Sequence, residues 1–464
     1  MIAPFLFQNP EFIKNTRLEF SATRLAVAMG LLALISWTSW NGTENTQQAS
    51  SLFSALSTMG FLFSIIWGSY LVANSLIEEE KQKTWDFVRL SSLSPAKILI
   101  GKIFGSPCLA WVVTLTGIFP LMIFSLAILF TKQVNLPRPE MGLILVFILC
   151  LAIWILLSYA FSFLLSIRAI SLGRGNQKSV AGITILIFML GSVIGNTLTS
   201  SIPAFSRSFC FPDNNCFPRT TWFGMEMLAL DNALMDLTFA CFWIVVGAYR
   251  SLRQALQFED SPIAWIGFLV TTTIFLFGYM PSTDWTSLYF IPPLIFCGTV
   301  TLLTCVSEAS DVVKYKRFAH NLTQKNYTMA FRYTPLWIVS FAIVITLAIL
   351  TSLYGGSTIY ILALLFLLRD LMAIHVIFWT HKIKRPDLGI LVYFALIYVL
   401  VPALAHSLNA GSAGFFFPLV KPNIVSILLL AVETGILALF LARRWDLVFS
   451  KDFYSLKSVE NKAN

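Results

Sequence analysis

Long apolar runs alternate with short polar stretches along the whole chain. Twelve of them read as membrane-spanning helices: 25–40, 51–76, 103–130, 141–167, 179–199, 233–249, 263–280, 287–306, 335–354, 358–380, 388–407 and 423–442. A helix needs roughly 20 apolar residues to cross about 30 Å of hydrocarbon. The pattern predicts an all-α, polytopic integral membrane protein of about twelve transmembrane helices. Residues 8–23 precede the first run and read as an amphipathic helix, with Pro10 its first residue after Asn9. Phe12, Leu18 and Phe20 lie beside Lys14, Arg17 and Glu19 there, a composition that suits a helix in the interface plane. These polar first residues are unlike a removable signal peptide.

Composition agrees with the pattern. The chain is 57% hydrophobic and 12% charged, with a mean hydropathy of +0.76, and soluble domains carry about twice that charged fraction. Lys and Arg then orient the helices, because positive residues collect in cytoplasmic loops. With the N-terminus inside, only Lys132, Arg138, Arg207, Arg219 and Lys421 of the 32 Lys and Arg fall outside, and only Arg369 falls within a span. Both termini are therefore expected in the cytoplasm of a cell membrane protein. The net charge of +9 reflects topology and anionic headgroups, and no nucleic-acid partner is expected.

Cys108, Cys150, Cys241, Cys297 and Cys305 fall in or at the ends of spans and read as packing residues. Cys210 and Cys216 share an outside loop and are either a disulfide or two free thiols. No Cys/His spacing suggests a metal site. The loop around them, 200–232, is rich in aromatic residues, among them Trp222 and Phe223. It is expected to dip back into the outer interface as short helices. A polar break near residue 255 divides the chain into residues 1–255 and 256–464, six spans each. The connector 307–332 occupies the place in the second half that 78–98 holds in the first. Glu80 to Arg89 and Glu308 to Arg317 share a spacing, which suits a degenerate repeat.

The segment 78–98 is the most informative polar stretch. Glu78, Glu79 and Glu80 follow directly on the second span, and acids at a helix C-terminus oppose the helix dipole. A cationic partner would offset that cost. At 100° per residue, Phe87, Leu90 and Leu93 fall on one side of the following stretch, and Trp85 and Val88 on another. An interfacial helix shows one apolar face. Apolar residues on both sides suit a helix held between membrane helices above and a protein below. Ser94 and Pro95 are suited to cap and start the next helix, which runs through Lys97 and Lys102 into the third span.

Glu-Glu-Glu, Thr84-Trp85, Arg89-Leu90-Ser91, Leu93-Ser94-Pro95, Lys97-Ile98 and Gly101-Lys102 together resemble the cytoplasmic connector of type-2 ATP-binding-cassette (ABC) exporter permeases. Lys83-Thr84 stands where that family has a Gly-Thr-like pair. The leading helix and the six-span unit fit as well, over roughly residues 8–250. The resemblance implies a transport subunit driven by a separate ATPase, whose groove receives the connector as a coupling helix. On that basis Glu78, Glu79, Glu80, Thr84, Trp85 and Arg89 would contact the ATPase subunit, while Pro95, Gly101 and Lys102 would set the turn into the third span. ATP and Mg would sit on that partner, with no cofactor on this chain. The pathway would be formed by one chain or by two permease chains. Residues 256–464 resemble nothing nameable.

The chain has no G-x-x-x-x-G-K-[ST] loop and is not expected to hydrolyse ATP itself. It also lacks H-E-x-x-H and G-x-S-x-G, and its four histidines do not cluster in sequence. Arg369, Asp370 and Glu433 fall near span centres, where charge is costly and is paired or functional. Neighbours at i and i+1 do not share a helix face, so Arg369 and Asp370 are not expected to point the same way, and a bridge from Arg369 to Glu433 is expected. A polar substrate path is the alternative, and an ion-coupled secondary transporter built on these residues and His375 is the alternative function.

Overall fold

The structure is a computed structural model. It describes residues 8–41, 45–133, 141–171, 177–200, 219–258, 261–279, 291–309, 311–355, 359–380, 386–408, 428 and 430–445. The chain forms two compact units, one of residues 1–220 and 226–260, the other of 221–225 and 261–464.

In the first unit the leading helix α1 (Pro10–Glu19) starts where expected. Asn9 caps it by accepting from the Glu11 N–H, and Pro10 occupies the first turn. The first span is α2 (Ala22–Asn41). The second is α3 (Asn45–Met59), a π-helical stretch Gly60–Trp67, and α4 (Gly68–Lys81). The connector holds a single short helix, α5 (Trp85–Leu90). Next come α6 (Pro95–Gly105), α7 (Cys108–Val113), a second π-helical stretch Thr114–Ile118, and α8 (Phe119–Gln133). Then follow α9 (Met141–Ser171), α10 (Gln177–Ser200) and α11 (Ala229–Ala255).

The core of this unit is continuous. Leu52, Phe53, Leu56, Ile65, Val72, Leu76 and Ile77 of the second span pack against Phe147, Trp154, Tyr159 and Phe163 of α9, with Val113, Ile118 and Met122 beside them. The opposite surface is equally apolar. Val27, Leu31, Leu34 and Trp37 are exposed on one side of α2, a stripe that water would disfavour and lipid accepts.

The second unit contains α12 (Ile263–Phe277), α13 (Ile291–Glu308), α14 (Val312–Thr323), α15 (Tyr327–Tyr333), α16 (Leu336–Gly355), α17 (Ile359–Phe378), α18 (Pro386–Ala395) and α19 (Val401–Leu408), with a further helix at 430–445. Among its described residues, buried apolar side chains gather in three small clusters.

Among the described residues, eight helices are long and apolar enough to cross a membrane, and three shorter apolar helices accompany them. The all-α, polytopic expectation holds. The only strands among the described residues, β1 (Arg219–Trp222) and β2 (Met225–Leu228), form a two-stranded hairpin. Here the expectation of short helices in the outside loop fails for its described part. Phe223 and Gly224 both have positive φ, 48° and 75°, and consecutive positive values make the kind of turn that joins antiparallel strands. Cys210 and Cys216 lie outside the described residues.

Candidate functional site

The acidic end of the second span does have a cationic partner, and it lies within the chain. Glu79 Oε1 is 2.6 Å from Lys14 Nζ and 2.8 Å from Lys102 Nζ. Lys102 Nζ is also 3.2 Å from Glu11 Oε1, and Lys14 Nζ 3.7 Å. Two acids and two bases from α1, α4 and α6 thus balance one another beneath the core, with Lys102 fully buried. Burial pushes the Glu11 carboxyl up, but Lys102 and Lys14 pull it further down, so it lies below its ordinary value of 4.5. Burial likewise lowers Lys14, and Glu79 and Glu11 outweigh it, so the ammonium is held above its ordinary 10.5.

The backbone brings these charges together. Asn9 Nδ2 donates to Lys97 O at 2.7 Å, tying the start of α1 to α6. Gly101 and Gly105 let the two helices approach closely. A Cβ on Gly101 would lie 2.9 Å from Phe12 N, and one on Gly105 would lie 3.1 Å from Phe12 O. Pro95 opens α6 as expected, with Ser94 at the cap position.

The connector shows two apolar sides, but Leu93, expected beside Phe87 and Leu90, lies past the end of the short helix and packs against the core instead. Trp85 is only 2% exposed and packs into the core with Val88 against it, whereas Phe87 is 74% and Leu90 85% exposed. Lys83, at φ 58°, ends α4. Its N–H bonds Glu80 O at 3.0 Å, and the Thr84 N–H bonds Glu79 O at 2.9 Å, a helix stop of the Schellman type. Arg89 Nε and Nη2 donate to Ala255 O at 3.0 and 2.9 Å. Of the residues expected to meet an ATPase, Glu79 and Trp85 therefore face inward and Arg89 is engaged with α11, while Glu78, Glu80 and Thr84 are half-buried. The outward surface belongs to Asp86, Phe87 and Leu90. Glu11 and Lys14 escaped the sequence reading as site residues. Their spacing of three on one helix was the available signal.

In the second unit, Arg369 binds both acids. Its Nη1 is 3.2 Å from Glu433 Oε2, while its Nε and Nη2 reach Asp370 Oδ1 at 3.1 and 3.0 Å. The expectation that neighbouring Arg369 and Asp370 would part is thus corrected: the long guanidinium stem folds back onto the next residue. Tyr393 OH donates to Asp370 Oδ1 at 2.8 Å, and Tyr398 OH donates to Oδ2. His375 sits in a closed chain of hydrogen bonds. Trp337 Nε1 donates to Tyr315 OH at 2.7 Å, Tyr315 OH lies 3.0 Å from His375 Nε2, and His375 Nδ1 lies 2.7 Å from Leu371 O. A neutral ring with its proton on Nδ1 satisfies all three.

Apolar helices of spanning length, lipid-compatible outer faces and charges satisfied internally define a polytopic integral membrane protein. Residues 15–212, somewhat under half of the chain, match the model of a family described as ABC-2 family transporter protein, which supports an ABC-2 type permease region there. The match ends before the second unit begins. No curated protein and no solved structure matches the chain.

Proposed function

We propose that this chain is the transmembrane subunit of an ABC exporter, driven by a separate ATPase subunit that docks on the connector between the second and third spans. The observation that carries the reading is the two-sided α5. Trp85 anchors it in the core while Phe87 and Leu90 project outward from an otherwise polar stretch, and large apolar side chains displayed together mark a protein contact. The Glu11–Lys14–Glu79–Lys102 cluster ties the same connector to the spans on either side, so a push on α5 moves them as a body. ATP and Mg belong to the partner in this reading, and both termini and the connector face the cytoplasm. Ion coupling through the buried charges is disfavoured, because Arg369 and both oxygens of Asp370 are already taken up by neighbouring groups.

The second unit is read as a degenerate copy of the first. Gln82-Lys83-Thr84-Trp85 and Gln324-Lys325-Asn326-Tyr327 both end one helix and start a short one, with Lys83 and Lys325 each at φ 58°. Lys325 N bonds Leu322 O at 3.1 Å and Asn326 N bonds Asn321 O at 2.9 Å, the pattern seen at Lys83. A similar stop closes α11 at Gln257, so the turn alone is not distinctive. The shared sequence, the short helix and the following Pro95 or Pro335 carry the comparison. The spacing of Arg89 and Arg317 does not, since Arg317 lies midway along α14.

The test is co-purification of the full chain with a co-expressed ABC ATPase subunit. Phe87→Glu with Leu90→Glu is expected to release the ATPase while leaving the membrane subunit folded. Undiminished retention would overturn the docking assignment.

A further inference from the structure

A cavity of about 280 Å³ lies inside the first unit, walled by the second and third spans, α9 and α10. Its walls include both π-helical stretches of this unit, through Ser64 on one and Thr114 on the other. Such distortions concentrate at functional sites. This one is held in place: Tyr159 OH donates to Ser64 O at 2.6 Å, and the Ser64 and Thr114 hydroxyls bond each other.

Among the described residues, no charged one lines the cavity. Two of its polar groups are buried without a hydrogen-bond partner, Trp154 Nε1 and Ser57 Oγ, and Trp154 is only 4% exposed. Buried donors are normally satisfied, and the indole N–H can only donate. A ligand answering this surface must be mainly apolar and must offer an accepting oxygen. It must also be uncharged, because an ion here would be desolvated without a counter-charge.

We propose that this cavity binds a neutral, largely apolar molecule bearing an ester or amide carbonyl, which Trp154 and Ser57 hold by donating to the oxygen. Binding stands on this geometry alone. That the ligand is cargo rests on the permease reading. The volume falls near the lower edge of small-molecule sites, so the site takes an acyl segment with its carbonyl rather than a folded peptide.

The experiment uses the full chain in lipid nanodiscs with a diazirine-bearing monoacylglycerol, and the matching diazirine fatty acid as the charged comparator. Saturable labelling of peptides around Phe61, Phe147 and Trp154 by the neutral ester, displaced by unlabelled monoacylglycerol, is expected. Trp154→Phe should weaken that labelling about five-fold, the worth of one neutral hydrogen bond; because Trp154 also packs in the core, thermal unfolding of the ligand-free variant is recorded beside it to confirm that the protein stays folded. Ser57→Ala is the second variant, with the same expectation. Gly60→Leu should abolish saturable labelling, since a Cβ at that position meets only Ile118 Cγ2, at 3.6 Å, and the remaining atoms enlarge the wall. Equal labelling by the fatty acid, non-saturable labelling typical of bulk lipid, or full affinity in both Trp154→Phe and Ser57→Ala would overturn the proposal. Loss of this site with ATPase docking intact counts against the cavity alone. Loss of docking with labelling intact counts against the permease reading alone.

Discussion

Lys102 Nζ lies 2.8 Å from Glu79 Oε1, so a fully buried ammonium joins the end of the second span to the start of the third. Burying such a pair is costly in itself, and breaking it is costlier, because the surviving buried charge is left under-compensated. Lys102→Met leaves Glu79 and Glu11 with Lys14 alone and is expected to destabilise the protein by about 3–5 kcal/mol. Adding Glu79→Gln should recover part of that loss, since the two positions touch and their effects are not additive. Thermal unfolding in detergent of both singles and the double measures this. Additive losses would show that the two groups act separately.

The approach of α1 to α6 makes a second, steric prediction. Gly101→Ala would bring a methyl to 2.8 Å from Glu11 Cβ and 2.9 Å from the Phe12 backbone. The backbone cannot give way as a flexible side chain would. Overpacking of this kind costs about 1–3 kcal/mol. Gly142→Ala is the control, because nothing lies within 4 Å of a Cβ there. Melting temperatures of the two variants should separate clearly.

The cluster also gives stability a pH dependence. The Glu11 carboxyl is lowered in the folded protein, so its contribution is present above its ordinary value of 4.5 and is lost as pH falls through the lower folded value. Lys14 is raised, so its contribution is present below 10.5 and is lost as pH rises through the higher folded value. Glu11→Gln should therefore flatten the acid limb of the stability profile below 4.5 and reduce the alkaline limb only in part, because Glu79 still holds the Lys14 ammonium up. Unfolding followed across that acid range checks it, and an unchanged acid limb in the variant would contradict the assignment.

What the sequence made legible follows from which signals are local. Spanning helices announce themselves through runs of apolar residues, and the Asn9-Pro10 and Ser94-Pro95 starts through residue types that suit a helix N-terminus. The two-sided character of 85–90 was also readable, since it needs only the helical period, whereas Leu93 fell on the wrong side because the helix stops at Leu90. The partners of the buried charges were not. Glu79 looked like a surface acid awaiting another protein, because nothing local links it to Lys14, 65 positions away, or to Lys102. The π-helical walls of the cavity were equally silent, as Gly60–Trp67 and Thr114–Ile118 are apolar segments like their neighbours. The fold of 219–228 was missed because aromatic content was given more weight than the turn at Phe223-Gly224.

The Arg369 network ranks its two acids. Asp370 is buried and receives Arg369 and two tyrosine hydroxyls, whereas the Glu433 side chain is 35% exposed and meets Arg369 at 3.2 Å. Removing the charge of a buried, fully engaged acid strands its partner, at a cost of about 3–5 kcal/mol. A partly exposed pair contributes about 1 kcal/mol or less. Asp370→Asn should therefore destabilise the protein several times more than Glu433→Gln. In the Asp370→Asn background, Glu433→Gln should cost more than it does alone, because Arg369 then depends on Glu433 for its only counter-charge. Thermal unfolding of the two singles and the double decides the matter. If Glu433→Gln proves the more damaging single change, Arg369 is neutralised chiefly across the helices rather than by its neighbour in sequence.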